Sequence, residues 1–281
     1  MNKAILSNLS FPEGPAIAPN GDIWFVELHG GNVCRYTPQG VVRRYHINGG
    51  SPNGIAIDSK GRIWFCDAGK NCVSILYPES GDVKTACAEV GGEPLASPND
   101  LAFDSKGNLL FTCPGDSRKS PDGYVCVLSR GRAKKIADGK YFPNGLALTP
   151  DGNSLVVAET YKQRLWKGGW NPETLEWTNP KIWAETGGIV GPDGMAFGSD
   201  GNLYVAVYGS GVVKILSPAG KVIGEISLQG KNPSNCAFLP KGGLLITETE
   251  NPSLFFSRHI FVLADYSIAQ NWRNVINYFS S

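Results

Sequence analysis

Short apolar runs alternate with turn-forming residues along most of the chain. In the clearest stretch, residues 54–57 and 62–67 are two such runs, separated by the turn Asp58-Ser59-Lys60-Gly61. Residues 71–77 and 83–88 follow as two further runs with alternating apolar and polar positions. Apolar runs of this length between turns are typical of β-strands. Four short strands in succession predict one blade of a β-propeller.

A tripeptide that starts with proline precedes the first apolar run of every unit. Its six copies lie 40 to 49 residues apart: Pro12-Glu13-Gly14, Pro52-Asn53-Gly54, Pro98-Asn99-Asp100, Pro143-Asn144-Gly145, Pro192-Asp193-Gly194 and Pro233-Ser234-Asn235. Self-similarity at this period indicates a repeat architecture. We therefore predict an all-β fold, a six-bladed β-propeller formed by residues 1–281 as a single domain. Its blades start near residues 12, 52, 98, 143, 192 and 233.

The two ends of the chain fall outside this repeat. The last unit offers three strands, with the third predicted at residues 259–264, and residues 4–9 precede the first unit. We expect the N-terminal residues to pair as the outer strand of the last blade, because closing the ring hides the sheet edges. In the tail, residues 265–281, helical spacing predicts a short C-terminal helix with one apolar face: Trp272, Val275, Ile276 and Phe279. This face packs on the propeller or contacts a second copy, so monomer and homodimer both stay open.

Composition argues against several classes of function. The formal net charge is +1 and charged residues make up 18% of the chain, which disfavours a nucleic-acid partner or a basic membrane patch. The seven cysteines are odd in number and follow no disulfide spacing. The N-terminus lacks the apolar core of a signal peptide, and no apolar run is long enough for a membrane span. We expect a cytoplasmic protein.

The middle residues of the tripeptides predict a metal site on the propeller axis. Equivalent positions of a closed ring face one another, and here they carry Glu13, Asn53, Asn99, Asn144, Asp193 and Ser234. Two carboxylates with two amide oxygens, those of Asn99 and Asn144, suit a hard divalent cation. His and Cys, which a structural zinc site would need, are absent from these positions. Asn53 lies at the same level, as an outer or substrate-binding residue. The alternative is that the tripeptides are turns chosen for backbone reasons alone.

The second strand of each blade returns to the same mouth of the central channel and supplies further candidates. Four of these strands end in a carboxylate: Glu27, Asp67, Glu159 and Glu248. Glu27 and Glu159 are candidates for binding substrate hydroxyls or for a general base. Capping of turns or pairing with Lys and Arg is the alternative. Nucleophile elbows, phosphate-binding loops and dinucleotide fingerprints do not occur in a suitable context.

The chain resembles the gluconolactonase, regucalcin (senescence marker protein) and luciferin-regenerating enzyme family from Phe11 to about Leu263. The resemblance rests on the order and spacing of four segments: residues 11–15, 97–101, 142–146 and 191–195. It implies a six-bladed propeller with one catalytic divalent metal ion on the axis. It also implies that Glu13, Asn144 and Asp193 are ligands, that Asn99 is a further ligand or substrate contact, and that Asp193 is the general base.

One position departs from the family pattern. Animal gluconolactonases carry an arginine that contacts the sugar where this chain has Ser97. Ser97 is therefore the candidate substrate contact at this position. The resemblance implies hydrolysis but does not imply specificity for sugars.

Three functions follow as hypotheses. The first is a metal-dependent hydrolase that opens a small lactone, with calcium as the first candidate ion and zinc, manganese, magnesium or iron as alternatives. The second is an aryl esterase or organophosphate hydrolase on the same fold. The third is a propeller that only binds a partner, since fold does not imply function.

Overall fold

The computed structural model describes residues 3–240 and 242–257, and in them the chain forms six four-stranded antiparallel sheets. The innermost strands contact one another in ring order around a common axis. The predicted six-bladed β-propeller is confirmed. The strand predicted at residues 259–264 and the helix predicted at residues 265–281 lie outside the described residues.

The strands are numbered in chain order, starting with β1 (Lys3–Ser7). Blade 1 comprises β2 (Pro12–Ile17), β3 (Ile23–Glu27), β4 (Asn32–Tyr36) and β5 (Val42–His46). Blade 2 comprises β6 (Pro52–Ile57), β7 (Ile63–Asp67), β8 (Cys72–Leu76) and β9 (Val83–Cys87). A small hairpin follows, β10 (Glu89–Val90) with β11 (Glu93–Pro94). Blade 3 comprises β12 (Leu101–Phe103), β13 (Leu109–Cys113), β14 (Gly123–Ser129) and β15 (Arg132–Lys140).

The remaining three blades complete the ring. Blade 4 comprises β16 (Pro143–Leu148), β17 (Ser154–Glu159), β18 (Arg164–Asn171) and β19 (Glu176–Glu185), with a 3-10 turn at Thr160–Lys162. Blade 5 comprises β20 (Gly191–Phe197), β21 (Leu203–Tyr208), β22 (Val212–Leu216) and β23 (Val222–Ser227). Blade 6 comprises β24 (Pro233–Phe238), β25 (Leu244–Glu248), β26 (Ser253–Ser257) and β1.

In blade 6 the third strand comes earlier than the sequence pattern predicted. β26 ends at Ser257, whereas the prediction placed this strand at residues 259–264. The hairpin is tight because the Glu248 carboxylate accepts the backbone N–H groups of Glu250 (2.9 Å) and Asn251 (2.7 Å). β1 then pairs antiparallel with β26, so the first strand of the chain is the outer strand of the last sheet.

The tripeptides open the innermost strands and are not hairpin turns. In five blades the pairing register shifts within or just after the tripeptide, as between Glu13 and Ala16 or between Pro192 and Met195. Such a β-bulge re-aims a side chain and is common beside functional sites. In blade 3 the tripeptide precedes β12 instead. The bulges therefore control which side chains reach the axis.

Glycine at the third tripeptide position lets neighbouring blades approach closely at the hub. A Cβ on Gly145 would overlap the carbonyl oxygen of Asp193 and lie 2.7 Å from Gly194 Cα in blade 5. A Cβ on Gly14 would lie 2.7 Å from the carbonyl oxygen of Asn53 in blade 2. Real Cβ contacts are longer than this, so larger residues would push adjacent blades apart.

The hydrophobic core lies between adjacent sheets. Buried side chains from neighbouring blades form separate clusters, such as Trp24 and Val26 of blade 1 with Phe65 of blade 2. All seven cysteines are free and buried in strands, where a thiol packs as a small apolar group. Among the described residues, the structure contains no helix with the length and apolar character needed to cross a bilayer.

We expect Gly145→Ala to destabilise the protein by at least about 2 kcal/mol, because the new methyl group overpacks the contact between blades 4 and 5. Gly224→Ala is the matched control, since a Cβ there would meet Ile215 Cδ1 at an ordinary 3.6 Å. Denaturant unfolding of the two variants measures the difference. Equal stability of both would contradict close packing at the hub.

Candidate metal centre

Two carboxylates and an amide from separate blades lie buried at the hub. Glu13 comes from the bulge of blade 1, Asn144 from blade 4 and Asp193 from blade 5, and their exposed fractions are 5%, 6% and 7%. Hydrogen bonding by Asn144 stabilises the ionised form of Asp193. The Gly14 backbone N–H donates to Glu13 Oε2 at 3.1 Å. Each side chain is therefore held in place by its own bulge or by the neighbouring blade.

Burial makes these carboxylates hard to ionise. It raises the pKa of Glu13 to about 8, and the charge of Asp100 adds to the effect, while hydrogen bonds from the Gly14 N–H, Asn235 and Ser234 oppose it. Burial also holds the pKa of Asp193 well above its usual range, with further contributions from the charges of Glu13 and Asp100. The three carboxyl groups therefore repel one another in a poorly solvated space.

Asp100 and Asn235 also belong to this cluster, although neither was among the residues predicted from the sequence. Both are buried, and burial raises the pKa of Asp100 to about 6 against hydrogen bonds from Leu101 N–H, Leu146 N–H and Asn235. They occupy the third tripeptide position, which is Gly in the other four copies. Blades 3 and 6 are opposite in a six-membered ring, so the two polar side chains meet across the axis. The polar residue in place of Gly is the sequence feature that could have indicated these two members of the cluster.

Among the described residues, no cationic side chain pairs with the carboxylates of this cluster. None of the ion pairs formed by the described residues includes Glu13, Asp100 or Asp193. Neither Lys nor Arg is among the groups that shift their pKa values. Buried charges in proteins are normally paired or bind a metal ion. A divalent cation would offset this repulsion, so the residues present fit such an ion.

The donor set is mixed. Within the described residues, no group of three or more His, Cys, Asp or Glu side chains has the geometry of a metal site. The predicted set of four donors adds the amide oxygens of Asn99 and Asn144 to the carboxylates of Glu13 and Asp193, and it stays a prediction. Carboxylate and amide oxygens are ligands of hard cations, above all of Ca²⁺.

Three further predicted contacts lie in or just before the tripeptides of blades 2 and 3. Asn99 is half-buried, and its backbone carbonyl accepts the Gly54 N–H at 2.7 Å. Asn53 is 7% exposed. Ser97 is half-buried, and its N–H donates to Asn71 Oδ1 at 2.9 Å. Roles of these three in ligand or substrate binding stay predictions.

Glu27 and Glu159 are held by arginine. Burial alone would raise the pKa of Glu27, but hydrogen bonds from Arg44 (Nε to Oε2, 2.8 Å) and Asn32 hold it below its usual value. For Glu159 the same burial effect is outweighed by Arg164, whose Nε donates to Oε2 at 2.6 Å, and by the Tyr141 N–H. The pairing with Arg that the sequence left open is therefore present in both. A substrate contact by either residue stays a prediction.

Aromatic side chains surround the mouth above the carboxylates. The Phe11 and His29 rings lie 4.5 Å apart, and the Phe142 and Tyr161 rings make an edge contact at 5.5 Å. Tyr208, which is half-buried at the end of β21, makes a hydrogen bond with Thr249 Oγ1 at 3.2 Å. Burial raises the pKa of Tyr208, and the charges of Asp193 and Glu13 contribute. The Tyr208 hydroxyl therefore lies within electrostatic reach of the buried cluster.

Comparisons with known proteins agree with this fold. A curated gluconolactonase from Zymomonas mobilis is 27% identical over 284 aligned residues, covering 86% of this chain and 77% of its own. A diisopropyl-fluorophosphatase from Loligo vulgaris is 29% identical over 279, covering 86% and 87%. Among solved structures, a calcium-binding regucalcin from Agrobacterium tumefaciens superposes with a TM-score of 0.78 at 20% identity, covering 90% of each chain, and shows the same fold.

The family itself is identified by a sequence model. The model described as the SMP-30/Gluconolactonase/LRE-like region matches residues 11–249, which include all six tripeptides. The resemblance stated from the tripeptides is confirmed, and the chain belongs to the SMP-30/gluconolactonase/LRE-like family.

Proposed function

We propose that the protein is a hydrolase that opens small lactones with the help of one divalent metal ion, calcium being the first candidate. The observation that carries the proposal is the cluster of buried carboxylates at the hub, which has no cationic partner among the described residues. The gluconolactonase among its relatives and the calcium-binding regucalcin among its structural neighbours support the reaction and the ion.

The proposed ligands are Glu13, Asn99, Asn144 and Asp193. When bound, the ion would polarise the lactone carbonyl and stabilise the negative charge that develops on its oxygen. With the ion bound, a carboxylate oxygen of Asp193 that does not contact it would accept a proton from the attacking water. Water adds to the carbonyl carbon, the ring C–O bond breaks, and the ring oxygen leaves with a proton as the hydroxyl of a hydroxy acid.

A second candidate activity is hydrolysis of phosphorus esters or aryl esters at the same centre. The relative described as diisopropyl-fluorophosphatase favours it. Both reactions place negative charge on an oxygen at the same position, so the protein residues involved would be the same. The two candidates differ in the electrophile that fits the mouth.

Removing the metal ion should abolish lactone hydrolysis. We expect dialysis against a chelator to reduce turnover of a lactone panel by at least about 100-fold, because the protein alone supplies no Lewis acid. Restoring calcium, zinc, manganese, magnesium and iron one at a time then identifies the active ion. Aryl esters and phosphotriesters assayed in parallel separate the two candidate activities. Full activity after chelation, with no ion in elemental analysis, would refute the metal dependence.

Neutralising a proposed ligand should remove both the ion and the activity. For Glu13→Gln and Asp193→Asn we expect metal affinity and turnover to fall at least about 100-fold, since each change removes a charged ligand from a low-dielectric site. Calorimetric titration and a lactone assay measure the two losses. Glu225→Gln makes the same chemical change on an exposed outer strand and serves as the control. An active double variant without bound metal would overturn the assignment.

The metal-free protein should lose stability as the pH rises. Between the unfolded carboxyl pKa near 4 and about 8 for Glu13, the folded state binds more protons than the unfolded chain. The free energy of unfolding therefore falls with pH in this window. We expect Tm in chelator to drop by at least about 5 °C from pH 5.5 to pH 8.5, and the metal ion to reverse the drop.

Calorimetry at the two pH values, with and without the ion, tests this expectation. Glu13→Gln should reduce the pH dependence, because one of the three carboxyl groups with a raised pKa is gone. A Tm that rises with pH in chelator would contradict the buried, protonated carboxyl groups.

A further inference from the structure

We propose that the mouth of the centre selects lactones with an aryl or alkyl substituent over polyhydroxylated sugar lactones. The substituent would lie between two aromatic pairs, Phe11 with His29 on blade 1 and Phe142 with Tyr161 on blade 4. This inference rests on the proposed lactone hydrolysis and specifies its substrate class.

The backbone is strained at both phenylalanines of these pairs. The residue before the tripeptide proline has a positive φ in four blades: Phe11 (59°), Ser97 (46°), Phe142 (58°) and Gly191 (147°). Only glycine adopts this region without steric cost, and blade 5 uses it. For a bulky side chain a positive φ is a clear outlier, and such outliers cluster at functional sites. The chain thus keeps two phenylalanines where glycine would be less strained.

The side chains of both aromatic pairs are partly exposed to solvent. Neither phenylalanine is core, since both are half-buried, while His29 is exposed and Tyr161 is 42% exposed. Each ring packs against another ring at the mouth and not against an apolar cluster between blades. Exposed apolar surface at the opening of a pocket is typical of ligand contact.

Both phenylalanines lie close in sequence to proposed metal ligands. Phe11 and Phe142 each lie two residues before a proposed ligand, Glu13 and Asn144. Blades 1 and 4 are opposite in the ring of six sheets, so the two pairs flank the axis from both sides. Flat apolar groups bind well between aromatic side chains, which offer a large contact area with little loss of conformational freedom.

Two carboxylates at the ends of the second strands of blades 1 and 4 are already paired, which leaves fewer polar groups for a sugar. Ser97 offers only a short hydroxyl, and Glu27 and Glu159 accept hydrogen bonds from Arg44 and Arg164. The Tyr208 hydroxyl, near the buried carboxylates, provides one donor for a ring or carbonyl oxygen. Several sugar hydroxyls would lose hydrogen bonds to water on entering such a mouth.

The test compares dihydrocoumarin, an aryl lactone, with glucono-δ-lactone on the metal-loaded protein. We expect kcat/KM to be at least about tenfold higher for dihydrocoumarin. Phe11→Gly and Phe142→Gly remove the ring and relieve the positive φ, so the fold should persist. Each should lower kcat/KM for dihydrocoumarin about fivefold through KM and leave glucono-δ-lactone within about twofold. Arg130→Gly, at a positive φ of 49° on an exposed hairpin, is the matched control and should change neither.

Binding gives a second readout that does not depend on turnover. The lactam analogue of dihydrocoumarin keeps its shape and is not hydrolysed under these conditions. Calorimetry with metal-free protein should show binding that weakens about fivefold in each glycine variant and not in Arg130→Gly.

The outcomes separate the two proposals. If lactones are hydrolysed but glucono-δ-lactone is preferred, or if the glycine variants affect both substrates equally, the aromatic selection is wrong and lactone hydrolysis stands. If no lactone is hydrolysed with any ion, both are wrong.

Discussion

Electrostatic repulsion at the hub is the constraint on which the rest of the structure depends. Glu13, Asp100 and Asp193 bring three carboxyl groups into a space where no described cation pairs with them, and burial raises their pKa values. Burying like charges in this way opposes folding unless a proton or a cation neutralises them. The propeller can carry this cost because six sheets pack over a large apolar core elsewhere. Stability is thus concentrated between the blades and chemistry at the axis.

The geometry of the hub depends on backbone features more than on side-chain size. Bulges in the innermost strands of blades 1, 4 and 5 each aim one residue at the axis. Glycines beside those residues let adjacent strands pack closely enough for the side chains to converge. Polar groups behind them act in the same direction: Thr112 Oγ1 donates to the Asn144 carbonyl at 2.7 Å, and Thr160 Oγ1 to the Pro192 carbonyl at 2.7 Å. Each such bond links one blade to the next.

Most of the fold could be predicted from the sequence, because a repeat with regular turns leaves few alternatives. The tripeptide positions indicated Glu13, Asn144 and Asp193, which the structure brings together. Asp100 and Asn235 were not predicted, because the prediction used only the middle residue of each tripeptide. These two residues replace Gly at the third position, in opposite blades. The bulges could not be predicted, since they arise from pairing between strands and not from local turn preference. The third strand of blade 6 was misplaced because a carboxylate cap shortens the hairpin before it.

The pairing of β1 with β26 has a consequence for biosynthesis. The two strands that meet there are separated by most of the described chain. In the innermost strands of the same two blades, Ser234 Oγ donates to the Pro12 carbonyl at 2.9 Å, next to Glu13. While the ribosome is still translating blade 6, neither contact can form, and Glu13 lacks its neighbours from that blade. Domains fold as units during synthesis only once their elements have emerged. A nascent chain therefore completes the hub only after blade 6 has emerged, so products truncated before this blade should lack the complete cluster.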